Sequence, residues 1–144
     1  TGLDFSPSAL MQARQLAARA GVDVRFVESE LYGAPAALGT TYDLVYTGAG
    51  ALNWLPDIAG WAAVVAAVLR PGGRLFVYGP FKHAGQHTAP SNEAFDASLR
   101  ARDSQWGVRD LNDIRDEAHK HDLVLAEIAP MPGNNMTLIF ERLS

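Results

Sequence analysis

The residues best placed to do chemistry in this sequence begin with Asp4. In Thr1-Gly2-Leu3-Asp4-Phe5-Ser6-Pro7 an apolar run ends in a carboxylate and turns at once toward a helix. In open α/β sheets ligands lie outside the carboxyl ends of the strands, where an acid can take a ribose hydroxyl pair. A second strand-like run ends in Glu28-Ser29-Glu30. Their paired placement at strand ends favours contact with a ligand; singly, each is an ordinary solvated carboxylate at a loop. The glycine-rich turn that brings backbone close to a nucleotide does not precede Asp4 in this sequence.

Other groups are weighed in the same way. Trp54 follows a glycine-rich stretch and could stack on a ligand, although tryptophan more often packs in a core, the reading given to Trp61. Arg100, Arg102, Asp103, Arg109 and Asp110 form either a guanidinium fork for an anionic substrate group, with Arg109 as the binder, or a salt-bridge network. Asn134-Asn135 is a turn signal, and Asn135 can also present an amide to a pocket. His83 and His87 have a spacing that binds metal on a helix, but Gly85 and Thr88-Ala89-Pro90 make this a loop and no third ligand follows, so no metal site is predicted. No Ser-His-Asp arrangement is supported by order or spacing.

These groups need a scaffold, and the composition supplies one. With 144 residues, 48% apolar and 19% charged, the chain can build one hydrophobic core, so a single domain over residues 1–144 is expected. A net charge of −4 argues against nucleic-acid and anionic-membrane binding, which need a basic face. The absence of cysteine fits a cytoplasmic protein. The apolar run Ile58 to Leu69 falls short of the roughly 20 residues that span a bilayer and reads as a core helix.

The elements follow from local signals. Ser6 caps a helix that starts at Pro7 and stops at Gly21, with Leu10, Ala13, Leu16, Ala17 and Ala20 on its buried face. Val22 to Val27 reads as a strand, Gly33 to Thr41 as a loop with a helical turn near Pro35 to Leu38, and Tyr42 to Tyr46 as a strand. Asp57 caps the helix over Ile58 to Leu69, Pro71-Gly72-Gly73 turns the chain, and Arg74 to Tyr78 is a further strand. This alternation predicts a parallel sheet with right-handed crossovers. Phe81 to Pro90 reads as a polar loop, followed by helices over Asn92 to Arg102 and Asp110 to His121. Leu123 to Ile128 and Thr137 to Phe140 then form an antiparallel pair across a short Pro/Gly/Asn turn.

Gly2 to Pro7, the strand into Glu28-Ser29-Glu30, Tyr42-Asp43-Leu44-Val45-Tyr46 and Leu69-Arg70-Pro71-Gly72-Gly73-Arg74-Leu75 together resemble the class I S-adenosylmethionine-dependent methyltransferases. That resemblance implies an α/β, Rossmann-like methyltransferase sheet, mostly parallel with a C-terminal antiparallel pair and lacking the family's first strand and helix. It implies S-adenosylmethionine as cofactor, with Asp4 on the ribose, Glu30 on the adenine amine, Phe5 and Leu31 as apolar walls, and Thr47 and Gly48 lining the donor pocket. From Tyr78-Gly79-Pro80-Phe81 onward, through His87-Thr88, Ser91-Asn92, Phe95 to Arg100 and Trp106 to Asp110, the chain is similar to methyltransferase-like proteins grouped as a domain of unknown function. The two resemblances divide the domain into a cofactor-side half, 1–77, and a substrate-side half, 78–144, and the seam near Phe76 to Gly79 predicts a chimeric sequence.

The implied activity is methyl transfer to a small molecule, with Tyr78 and His87 as the groups that could take a proton and Trp54, Arg109 and Asn135 on the substrate. The alternatives are a methyltransferase-like binding module without donor affinity and a nicotinamide-dependent oxidoreductase; the C-terminal antiparallel pair argues against the latter. An exposed strand edge predicts pairing with a second copy of the chain.

Overall fold

A computed structural model describes Thr1–Ser144, which divide into two compact units, Thr1–Thr41 and Tyr42–Ser144. In the first unit, β1 (Gly2–Asp4) pairs in parallel with β2 (Phe26–Glu28). Helix α1 (Pro7–Ala20) starts at Ser6, whose hydroxyl accepts the Ala9 N–H at 3.3 Å, and ends at Gly21 in the left-handed conformation. Both ends were legible because caps act through neighbouring residues.

Two expectations in this unit need correction. Val22 to Arg25 lie outside the strand, because β1 offers only three partner positions and the ladder is no longer than its shorter member. Leu16 is 61% exposed and Ala20 is exposed as well: the short strand pair covers the row of Leu10, Ala13 and Ala17 and does not reach further. Beyond β2, a single 3-10 turn over Leu31–Gly33 leads into the short helix α2 (Ala34–Leu38).

The second unit carries the core. Strand β3 (Tyr42–Thr47) leads through a 3-10 turn at Ala51–Trp54 into α3 (Ile58–Val68), and α3 runs directly into β4 (Leu69–Gly79). A hairpin, β5 (Lys82–His83) and β6 (Gln86–His87), precedes α4 (Pro90–Arg102) and α5 (Leu111–His119), and β7 (Leu123–Met131) and β8 (Asn135–Arg142) close the chain. The four long strands stand in the order β3-β4-β8-β7, with β3 and β4 parallel and the β4/β8 and β7/β8 pairs antiparallel. The class is α/β, as expected.

Asp57 caps α3 by accepting the Gly60 N–H at 2.8 Å. The face of α3 carrying Trp61, Val64, Val65 and Val68 is buried, together with Leu75 and Val77 of β4 and Leu138 and Phe140 of β8. At its other end Arg142 of β8 donates to the carbonyls of Ala66 and Leu69, two groups that the ending helix leaves without partners.

Pro71-Gly72-Gly73 is not a turn before β4 but an irregularity within it. The register jumps from Tyr42 opposite Leu69 to Leu44 opposite Arg74. A side chain at Gly73 would stand 2.9 Å from the Asp43 carbonyl oxygen, so the strands close here only over a bare backbone. The predicted polar loop after Tyr78 is also replaced: Phe81 is 1% exposed and belongs to the core, and Lys82 and His87 face each other in the β5/β6 hairpin. No helix is long and apolar enough to cross a membrane.

Candidate functional site

In the first unit the parallel register sets Asp4 beside Glu28, at the carboxyl ends of both strands, with Glu30 two residues further on. One oxygen of Asp4 accepts the Ser6 N–H at 2.8 Å, which fixes the carboxylate at the mouth of α1. Glu30 is exposed and its side chain makes no capping bond to the 3-10 turn it precedes. Phe5 is 75% exposed and Leu31 half-buried, so both present apolar surface near these acids in sequence. A shallow cavity of about 180 Å³ lies between β1 and α1, lined by Leu3, Asp4, Leu10 and Phe26 among others. It is smaller than the roughly 300 Å³ at which ligand pockets begin.

The second unit gathers polar groups beyond the carboxyl ends of β3 and β4. At the end of β4 the Tyr78 hydroxyl accepts from the Asn135 side-chain amide at 3.1 Å, so two residues singled out from the sequence meet directly. The Tyr78 carbonyl accepts the Gly50 N–H at 3.1 Å, joining β4 to the turn that carries Asn53 and Trp54. The Asn53 carbonyl in turn accepts the Gly107 N–H at 2.9 Å, and the next amide, that of Val108, donates to Asp96 Oδ1 at 2.7 Å. Asp96 Oδ2 lies 3.3 Å from His87 Nε2. On the other side, Asn92 donates to Thr88 and to the Asn134 carbonyl. The Gly107-Val108 strap thus joins the Asn53 backbone to Asp96, which has His87 at ion-pair distance, while Tyr78 pairs with Asn135 and Asn92 ties Thr88 to Asn134.

Gly107 is required in that strap. Its φ is +148°, and a side chain there would fall 2.6 Å from Asp96 Oδ1 and 2.8 Å from the Arg100 guanidinium. Arg100 Nε donates to both Asp96 oxygens, at 3.1 and 3.2 Å. Burial pushes the Asp96 carboxyl up, but the Val108 amide, Arg100 and the charge of Lys82 outweigh it and hold the group below its ordinary value.

The remaining predicted residues fall as follows. Trp54 is 37% exposed and stands edge-on to Trp106 and Phe95, with the Arg102 guanidinium over both indoles. Arg109 does not stand free for an anionic substrate: its guanidinium donates to the carbonyls of Leu52, Leu55 and Gln105 and pins the turn that carries Trp54. The Thr47 hydroxyl accepts from the Trp61 indole at 3.3 Å, and the Tyr46 ring occupies the space beside Gly48.

Asp96 was missed from the sequence. Its signal is an acid on the buried stripe of α4, where Asn92, Asp96 and Leu99 share one face.

S-adenosylmethionine suits what the chain presents. Asp4 keeps an oxygen for a diol, and Glu30 extends a free carboxylate past the neighbouring strand.

The structure is similar to an O-methyltransferase family protein from Burkholderia thailandensis, with a TM-score of 0.83 and 18% identity over 99% of this chain and 43% of that one. An O-methyltransferase family 2 protein from Planctomyces limnophilus, solved with apigenin, matches with a TM-score of 0.82 and 19% identity over 98% of this chain and 42% of that one. The S-adenosylmethionine-dependent methyltransferase SibL matches with a TM-score of 0.71 and 20% identity over 99% of this chain and 42% of that one. The chain therefore spans less than half the length of these relatives, and its fold is that of the class I methyltransferases. Residues 28–142, which include the stretch Phe76 to Gly79, match the family described as "Protein of unknown function (DUF938)", and the chain belongs to that family.

Proposed function

We propose that the chain is the methyl-transferring part of an S-adenosylmethionine-dependent enzyme acting on a small molecule. The observation that carries this is the placement of Asp4 as the last residue of β1 and of Glu30 two residues past β2, at the carboxyl ends of adjacent parallel strands, where an acid can take a ribose diol. Asp4 would hold the ribose and Glu30 the adenine amine, with Phe5 and Leu31 against the base. The cofactor supplies an already activated methyl group, so the protein's work is to align the acceptor, exclude water and remove a proton where the acceptor carries one.

In the second unit Trp54 offers an aromatic face to the acceptor, and Tyr78 and His87 are the groups that handle its proton. The net charge of −4 favours a small acceptor over a nucleic acid. A second copy of the chain pairing along the open edge of β3 belongs to the same proposal.

Calorimetric titration with S-adenosylhomocysteine tests the donor site. Binding is expected, and Asp4→Ala should weaken it by about tenfold or more, the cost of losing a hydrogen bond to a charged group. A folded chain that takes up no S-adenosylhomocysteine would instead be a non-catalytic binding module.

A further inference from the structure

Almost every arginine of the second unit is already bonded. Arg70, Arg74, Arg100 and Arg115 each hold a carboxylate, and Arg109 and Arg142 hold backbone carbonyls. Arg102, the exposed last residue of α4, has neither kind of partner. The acid beside it is engaged elsewhere, since the Asp103 carboxylate accepts the Gln105 N–H at 2.8 Å. What holds Arg102 is aromatic. Its guanidinium lies 5.3 Å from the Trp54 ring centre and 5.5 Å from that of Trp106, and those two rings stand edge-on at 5.1 Å. A guanidinium held through ring faces keeps the N–H donors in its own plane for another partner. The rings also fix a long side chain, so less freedom is lost when an anion docks on it.

We propose that Arg102 anchors the carboxylate of an aromatic methyl acceptor, whose ring lies against the exposed part of Trp54. Trp54 is 37% exposed, which leaves indole surface open beside the cation. A carboxylate suits this place better than a phosphate. One guanidinium matches one negative charge in bidentate fashion, whereas a phosphate carries more charge, and the neighbouring Arg100 and Arg109 are committed to Asp96 and to backbone carbonyls. Calling the ligand a methyl acceptor rests on the methyltransferase reading above; the anion site itself does not.

The test is nitrogen-15 spectroscopy of the Trp54 and Trp106 indole N–H groups and of Arg102 Nε, at constant ionic strength and without S-adenosylmethionine. Benzoate is the probe. Benzamide supplies the same shape without the charge, and acetate the same charge without the ring. Benzoate should move all three signals saturably, and each control should bind about tenfold more weakly. Arg102→Gln, at an exposed position, should weaken benzoate by about tenfold or more and leave benzamide unchanged.

Benzamide or acetate binding as tightly as benzoate overturns the proposal, as does an Arg102→Gln protein that keeps its benzoate affinity. So does a wild-type protein whose three signals benzoate leaves unmoved up to its solubility. If the variant does not fold, the wild-type titrations decide it. A chain that takes benzoate at Arg102 yet binds no S-adenosylhomocysteine supports the anion site and overturns the donor reading instead.

Discussion

Two carboxylates anchor the hairpin that carries His87. Asp110 accepts the Gly85 N–H at 2.5 Å with one oxygen and the Asn112 N–H at 2.9 Å with the other, and Asp96 meets His87 itself. Burial pushes the Asp110 carboxyl up, yet these two amides and the charges of Lys82 and His83 leave it lowered, as Asp96 is. A carboxyl depressed in the folded state binds fewer protons than the unfolded chain as the pH falls past the ordinary value of 3.8. Its contribution to stability is therefore complete above that value and lost below it, as pH drops through the folded-state value. Melting temperature should fall as pH decreases from about 5 toward 2, and less steeply in Asp96→Asn, which has no proton to take up there. Equal slopes for the two proteins would show that Asp96 is not depressed. At the end of β4, Tyr78→Phe removes one hydrogen bond to Asn135. It should cost about 1 kcal/mol in chemical denaturation, as a partly buried neutral bond does.

At the scale of elements, the strap from Trp106 to Arg109 holds the site in place. Its amides reach Asn53 and Asp96, Arg109 pins the Trp54 turn, and the Arg109 carbonyl accepts the Lys82 N–H at 2.8 Å, tying in the hairpin. Gly107→Ala would place a methyl group against both Asp96 and Arg100 on a backbone that side chains rarely adopt. A loss of about 1–3 kcal/mol is expected, with the His87 ring signals displaced at the same time. A stable variant with unchanged His87 signals would show that the strap tolerates relaxation.

Helix ends were readable from the sequence because Ser6, Asp57 and Gly21 act on residues within four positions. The β5/β6 hairpin and the irregular start of β4 were not, since each is fixed by a partner distant in sequence: Arg109 for Lys82, Asp43 for Gly73. The site divides in the same way. Asp4 and Glu30 stand at strand ends that local pattern reveals. The partners of Asp96 come from Val108, twelve residues on, and from a hairpin that no local signal announced.

For the whole molecule, the open side of β3 matters most. The four-stranded sheet ends at β3, which pairs with β4 on one side, so one row of its backbone N–H and C=O groups has no partner strand within that sheet. Leu44 and Tyr46 on this strand are 55% and 62% exposed. The Asp43–Arg70 ion pair, at 2.9 Å, joins side chains of β3 and β4. Natural sheets usually shield such an edge with charge, proline or a covering element, and an apolar edge recruits another strand. Sedimentation of this chain should therefore show a concentration-dependent monomer–dimer equilibrium. Leu44→Lys combined with Tyr46→Lys should shift it to monomer, because two copies paired along β3 would bring like charges together across the interface. Neither side chain belongs to the buried core, so melting of the monomer should change little. A wild-type chain that stays monomeric at all concentrations would show that the edge is closed by other means, and a double variant that still dimerises would move the interface away from β3.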